Sequence, residues 1–435
     1  MPYDSQAEEL NSIIKKFNPA ILTMLSERGK AAFFPDKGIL GQTADAKKCE
    51  INATIGAALE DDASAMCLEA LNRLVTLPKS DLFPYTPSFG APPLRRTWKK
   101  MMLKKNPLLS AKNISTPVVT NALTHGLSMA GYLFVDPNDT IILPDKFWGN
   151  YNLIFRNGYG ARFTNFETFA PDGGYNVEGL IQALKIGSPG KRIVLLNFPN
   201  NPTGYTPTLE EGERIRDALV EAAAIGNKLI VFVDDAYFGL GYEEGIMSES
   251  IFAMLANAHE RILACKFDGP TKEDYVWGFR VGFVTFGVGG ATDQLYGALE
   301  AKLAGAIRGS ISNVTHPGQS LLLAAYTDHD YDRQKEEKYT TLKKRYEKIK
   351  QILADHPEYS EVYEPLPFNS GYFMCVKLKG ADGEAVRQRL LSHYSTGIIA
   401  FGNTIRIAFS STPSGLLEKL YENLYRAGKD LTRRS

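Results

Sequence analysis

No sign of charge dominates this 435-residue chain: Lys and Arg number 49, Asp and Glu 49, and the formal net charge is zero. Nucleic acid or an anionic membrane therefore finds no global attraction here, and neither is expected as a partner; any bound anion must be held by local groups. Cysteine is scarce. Cys49, Cys67, Cys265 and Cys375 form no C-x-x-C pair, which argues against a zinc ribbon or a disulfide scaffold and favours a reduced, cytoplasmic setting. The six histidines include no H-x-x-x-H pair, so no metal site is expected. No apolar run reaches ~18 residues, so no membrane span is expected. The opening MPYDSQAEELN lacks the basic and apolar regions of a secretion signal.

What remains is ordinary globular composition, 44% hydrophobic and 23% charged. At roughly 150 residues per domain the length suits two or three domains. Short β-rich runs alternate with helical patterns. The runs are Thr116–Thr120, Asp139–Leu143, Arg192–Asn197, Lys228–Asp234, Arg261–Phe267 and Phe279–Phe286. Between them Thr124–Phe134, Leu209–Ala224 and Ser248–Ala258 read as helices. The alternation predicts an α/β domain with a mostly parallel sheet, and ligands in such sheets sit at the carboxyl ends of the strands. From Gln319 to Asp355 the chain reads as one long helix joining two domains, its charged run DRQKEEKYTTLKKRYEKIK forming a solvated face. The tail, with SGYFMCVKL, NTIRIAFS and a last helix near Leu416–Ala427, reads as a smaller α+β domain. The expected division is 1–62 with the small domain, 63–318 as the large domain, and 319–435 as the joining helix and small domain.

Three motifs follow strands. Asn200-Asn201-Pro202-Thr203-Gly204 is built of turn residues, and it also projects the Asn201 amide at a strand end. Asp234-Asp235-Ala236-Tyr237 ends the apolar run KLIVFV. A carboxylate there is a helix cap, a surface turn or the partner of a buried cationic nitrogen. Lys272 and Arg280 lie in GPTKEDYVWGFRVGF, spaced K-x7-R between a Gly-Pro-Thr turn and a glycine-punctuated strand.

N-P-T-G, then D-x-A-Y, then K-x7-R-x-G in this order resembles the fold type I pyridoxal-phosphate aminotransferases, specifically the aspartate and aromatic group, over about Ile51 to Ile407. The resemblance implies a large domain with a mostly parallel seven-stranded sheet and a smaller α+β domain. It implies pyridoxal 5'-phosphate as cofactor, held on Lys272 as a Schiff base, with Lys272 as the proton shuttle. Asp234 would face the ring nitrogen, and Asn201 and Tyr237 the ring oxygen. The phosphate would lie at the helix N-terminus formed by Ala122, Leu123 and Thr124, with Arg280, Thr271 and the neighbouring subunit's Tyr85. Trp148 would stack on the ring. Gly56 would lie over the substrate, Arg406 would bind its α-carboxylate, and Arg308 would reach into the neighbour's site for a distal carboxylate. A homodimer with shared sites follows, taking an amino acid (aspartate, glutamate or aromatic) and a 2-oxo acid by a ping-pong mechanism in amino-acid metabolism.

The chain departs from the family pattern in three places. Gly269 stands where a phosphate-binding serine is usual, Ala122 and Leu123 replace a smaller pair, and Tyr151 stands where some members carry a histidine supporting the aspartate. Lys266 is the rival for the Schiff base. His125, beside the cradle, reads as a packed or helix-turn residue. A β-lyase or decarboxylase on the same fold is the alternative chemistry, because fold alone does not choose between them. Gly287-Val288-Gly289 lacks the third glycine of a dinucleotide fingerprint, and no Walker A loop is present.

Overall fold

A computed structural model describes residues 3–35, 38–73 and 77–432. After a short strand β1 (Ile51–Asn52), seven strands build the central sheet: β2 (Val118–Thr120), β3 (Thr140–Pro144), β4 (Arg162–Phe166), β5 (Lys191–Asn197), β6 (Lys228–Asp234), β7 (Ile262–Asp268) and β8 (Gly282–Val288). They lie in the order β2-β8-β7-β6-β5-β3-β4. The five from β7 to β4 run parallel, whereas β8 is antiparallel to β7 and β2 is antiparallel to β8. The middle strands are mostly apolar because helices cover both faces. Phe232 packs into the cluster with Leu127 and Phe267 on one side, and Val231 and Val233 into the cluster with Ile215 and Leu219 on the other. The helix Leu209–Ala224 starts at a reciprocal cap in which the Thr208 hydroxyl accepts from Glu211 N and the Glu211 carboxylate accepts from Thr208 N.

A second, antiparallel sheet is formed by β9 (Tyr363–Pro365), β10 (Phe373–Leu378), β12 (Ile399–Phe401) and β13 (Thr404–Ala408), in the order β12-β13-β10-β9. β11 (Thr396–Gly397) pairs in parallel with β1, joining the N-terminal region of the chain to the C-terminal region. All four cysteines are free thiols. No helix among the described residues is long and apolar enough to cross a membrane.

Three elements differ from the sequence-based expectation. The single helix expected over Gln319–Asp355 is two, His316–Ala325 and Tyr331–Asp355. Between them Thr-Asp-His-Asp folds on itself, with Asp330 N donating to Asp328 Oδ1 at 2.9 Å; such local side-chain bonds compete with helix. The helix expected over Ser248–Ala258 is the shorter Ile251–Leu255, and Asn257 just beyond it has φ 65°, outside the helical region. Strand β4 escapes the apolar-run criterion, because it is an edge strand whose first four residues are at least partly exposed.

Candidate active site

The chemistry-bearing side chains gather at the carboxyl ends of β5, β6 and β7. Asp234 closes β6. Its carboxylate accepts from the Tyr151 hydroxyl at 2.5 Å and from Ala236 N at 3.1 Å. Asn197, at the end of β5, donates its amide to the Asp234 carbonyl at 2.8 Å and accepts from Asn201 N at 2.8 Å, so the two strand ends are tied together. Burial raises the Asp234 pKa, opposed by the Tyr151 hydrogen bond and by the Lys272 charge. Asp234 is thus a buried carboxylate with an open demand for a cation.

Lys272 lies in the short helical turn Pro270–Glu273 after β7. Its Nζ stands 5.3 Å from the centre of the Tyr237 ring. Among the described residues it has no hydrogen bond or ion pair. Burial pushes its pKa down to about 8, with Arg280 acting the same way and Asp234 against. Lys266, six residues earlier, is fully buried, pairs with Asp235, and lies 3.2 Å from Asp268. Asp235 also accepts from the Ser250 hydroxyl and Asp268 from the Trp98 indole. The nitrogen of Lys266 is held between two carboxylates.

Arg406, on β13, is buried and faces no carboxylate among the described residues. It donates to the Thr54 carbonyl at 3.0 Å and weakly to Asn201 Oδ1 at 3.4 Å, and its guanidinium lies over Phe373 at 4.3 Å. Its Nε has no partner. A buried guanidinium without an anion is costly, and a carboxylate is the chemistry that would satisfy it. Gly56 is close by: a Cβ there would stand 3.7 Å from Phe373 Cζ. The Tyr237 hydroxyl borders both Asn201 and Arg406, and burial raises its pKa far more than their influence lowers it. Trp148 meets Tyr151 edge-on at 5.5 Å. With Asn201 and Arg406 it lines a cavity of about 1100 Å³ that the N-terminal residues Arg28 and Phe33 help to wall.

The helix Ala122–Phe134 begins beside the turn that follows β7, with Leu123 packed near Gly269. Ala122 has φ 59°, and Gly282 at the start of β8 passes so close that a Cβ on it would lie 2.8–3.0 Å from Ala122 and Leu123 backbone atoms. The missing serine at Gly269 has a physical reason: a Cβ there would stand 2.9 Å from Gly282 Cα and 3.2 Å from Leu123 Cδ1. Leu123 fills the space a larger residue at 269 would need. Thr124 is half-buried, and the Thr271 hydroxyl is buried without a partner. His125 accepts from Asn121 N at 3.1 Å and meets Ser310 Oγ at 3.1 Å, so it serves the helix turn.

Three of the expected residues lie at the surface. Arg280, with φ 54°, donates to the Trp277 carbonyl, and Arg308 donates to Ser312 Oγ at 2.9 Å. Tyr85 is 89% exposed. The segments carrying Tyr85 and Arg308 are stitched together, since Thr86 donates to the Val314 carbonyl and Ser88 to the Ser312 carbonyl. Sequence reasoning missed Asn197 and Phe373. Asn197 ends a β-run three residues before the turn motif, which was a usable signal; Phe373 gave none.

The residues present suit pyridoxal phosphate. A half-buried, unpaired lysine amine, a buried carboxylate opposite it, an aromatic ring beside it and an orphaned hydroxyl at a helix N-terminus are the donors such a group needs. Comparison with known proteins agrees. Residues 51–424 match the family model for aminotransferase class I and II. The chain is 25% identical over 309 residues to aspartate aminotransferase 1 of Medicago sativa, covering 68% of this chain and 71% of that one. It is 23% identical over 343 residues to the cytoplasmic aspartate aminotransferase of Saccharomyces cerevisiae, covering 75% and 78%. Among solved structures, an aminotransferase from Anaerococcus prevotii superposes with a TM-score of 0.80 at 21% identity, covering 93% of this chain and 99% of that one. The chain belongs to the class I and II aminotransferases. Its fold is that of the fold type I enzymes, and it is a pyridoxal-phosphate-dependent transaminase.

Proposed function

We propose that the chain moves an amino group between a dicarboxylic or aromatic amino acid and a 2-oxo acid, in a homodimer with shared sites. The observation that carries this reading is the buried, anion-free guanidinium of Arg406, which neighbours the Tyr237 side chain that the unpaired amine of Lys272 also faces. Arg406 binds the substrate α-carboxylate bidentately and so fixes the α-carbon. Lys272 holds the cofactor and moves the proton at the α-carbon, a task that suits an amine whose pKa lies near 8. Pyridoxal phosphate supplies the electron sink that makes this proton acidic. Asp234, fixed by Tyr151, would keep a proton on the ring nitrogen. Asn201 and Tyr237 would hydrogen-bond the ring oxygen, and Trp148 would cover the ring. The amides of Ala122, Leu123 and Thr124, the Thr124 and Thr271 hydroxyls, Arg280 and a partner subunit's tyrosine equivalent to Tyr85 would hold the phosphate.

Arg308 and Tyr85 are offered at one surface patch with the apolar Phe83 and Ile311. This supports a partner subunit docking there and receiving both side chains. Gly56 leaves room for the substrate beside Phe373. Residues 1–62 and 319–435 together form the small domain around the β1–β11 pairing, and residues 63–318 the large one, a division supported by their separate sheets. The four free thiols favour a cytoplasmic location.

The test is a half-reaction: with amino donor alone, the bound cofactor should be converted to the pyridoxamine form. Release of ammonia or carbon dioxide instead would favour lyase or decarboxylase chemistry. Arg308→Ala should lower kcat/KM for aspartate or glutamate by roughly 2–4 kcal/mol and leave phenylalanine nearly unchanged. Equal losses for both substrates would assign Arg308 a structural role.

A further inference from the structure

The two residues directly after Lys272 are Glu273 and Asp274, and both carboxylates are buried. Acidic side chains are rarely buried unless paired. Here the partners come from distant regions of the chain. Lys105, at the end of the helix Pro92–Lys105, donates to Glu273 Oε1 and Oε2 at 2.9 and 3.0 Å. Lys335, on the helix Tyr331–Asp355, donates to Glu273 Oε2 at 2.7 Å and to Asp274 Oδ1 at 2.9 Å. The hydroxyls of Tyr331 and Tyr326 donate to Asp274 at 2.7 and 2.9 Å. From the other side, the Tyr372 hydroxyl donates to the carbonyl oxygen of Lys272 itself, at 2.8 Å.

The backbone shows why such a grip is needed. Tyr275 and Arg280 follow with φ of 58° and 54°, in the left-handed region without being glycine. A non-glycine residue in that region is strained and persists only where surrounding contacts over-determine it. Glu273 and Asp274 turn their charges to Lys105 and Lys335, away from the Lys272 amine, which answers instead to Asp234 and Arg280.

We propose that Glu273 and Asp274 are positioning residues: they lock the turn bearing Lys272 to the helices Pro92–Lys105 and Tyr331–Asp355, and so aim its amine between Tyr237 and Asp234. The inference rests on Lys272 being the cofactor lysine. A shift of the long helix is then felt directly at the reacting nitrogen, through Lys335 and the two carboxylates.

Lys335→Met and Tyr326→Phe each remove one arm of this grip without altering the turn. Three quantities are measured on each variant: the Kd of the apoprotein for pyridoxal phosphate by equilibrium dialysis, the share of Lys272 carrying pyridoxyl after borohydride reduction, and the apoprotein Tm. Leu219→Ala, on the buried face of the helix Leu209–Ala224, supplies a comparable loss of Tm away from the site. Lys335→Met should raise the Kd on the order of tenfold and lower the labelled share. Tyr326→Phe should do so less, and Lys335→Arg should recover most of the affinity. Leu219→Ala should leave the Kd within about twofold of the native protein. Unchanged Kd in both grip variants overturns the proposal, as does a Kd that tracks Tm across all variants, Leu219→Ala included. If Lys335→Met does not fold, Tyr326→Phe decides. Native protein labelled elsewhere than Lys272 removes the premise and the proposal with it, an outcome distinct from correct labelling with an unmoved Kd.

Discussion

Lys266 and Lys272 are six residues apart and serve opposite ends. Lys266 points into the core and is surrounded: Asp235 and Asp268 neutralise it, and Phe238 lies 4.9 Å from its nitrogen. Burial alone would strip its proton, but the two carboxylates outweigh that and raise its pKa. Lys272 is half-buried and has no carboxylate in contact with its nitrogen, Asp234 being bonded to the Tyr151 hydroxyl, and burial takes its pKa down to about 8. Two identical side chains thus become a paired cation with a raised pKa and an unpaired amine with a lowered one. The difference lies in who sits beside the nitrogen, and that is decided by residues far along the chain.

The largest expected effect sharpens this contrast. Lys272→Ala should lose turnover by several orders of magnitude and take no pyridoxyl label, whereas Lys266→Met should still be labelled on Lys272 by peptide mapping. Stability should divide the other way. Lys266→Ala leaves Asp235 and Asp268 buried without their cation and should cost roughly 3–5 kcal/mol in urea unfolding; Lys272→Ala, which breaks no pair, should cost far less. Equal losses would erase the distinction between the two sites.

Next in size come two pH effects. Lys272 in the apoprotein has a pKa lowered from 10.5 to about 8, so between those values the unfolded chain binds more protons than the folded one. Apoprotein stability should therefore gain a rising component from pH 8 to 10.5, and Lys272→Met should remove it. Glu273 moves the opposite limb. Burial disfavours its charge, but Lys105 and Lys335 overcome this and lower its pKa from 4.5 to about 2. Its contribution is complete above pH 4.5 and fades as pH falls towards 2, so Glu273→Gln should flatten acid unfolding in that window. The smallest effect is expected at the surface pair Lys419–Glu50, half-exposed on both sides. Lys419→Met should change unfolding free energy by less than about 0.5 kcal/mol.

Much of this was legible in the sequence, for reasons that can be traced to particular residues. Strands β5 to β8 were found because mostly apolar runs signal burial on both faces, and the helix Leu209–Ala224 because a helical pattern fills the stretch between two such runs. The site motifs were visible because strand ends need turn residues, and Asp234 ending an apolar run is conspicuous. What was hidden depends on long-range packing. No local pattern in Lys272–Arg280 shows that Glu273 and Asp274 turn inwards, since their partners lie at Lys105, Tyr326, Tyr331 and Lys335. The break in the long helix was missed because its Asp-His-Asp turn reads as ordinary helix-surface charge. The glycine at 269 looked like a lost function and is, in three dimensions, where Gly282 and Leu123 leave no room.

The pairing of β1 with β11 carries a consequence for how the molecule comes into being. Ile51 hydrogen-bonds to the Ser395 carbonyl and Ala53 to the Gly397 carbonyl, so the earliest strand to be made waits for one of the last. Contacts of such separation are slow to form because the loop between them must close first. The central sheet and its helices are complete in sequence well before Thr396 leaves the ribosome, and can assemble while the N-terminal segment remains without its partner. A chain ending before β11 would keep the large sheet but strand that segment, with Leu10, Ile13 and Phe17 already exposed on its first helix. Such a fragment should associate with itself or be degraded, and full-length synthesis becomes a condition of solubility as much as of catalysis.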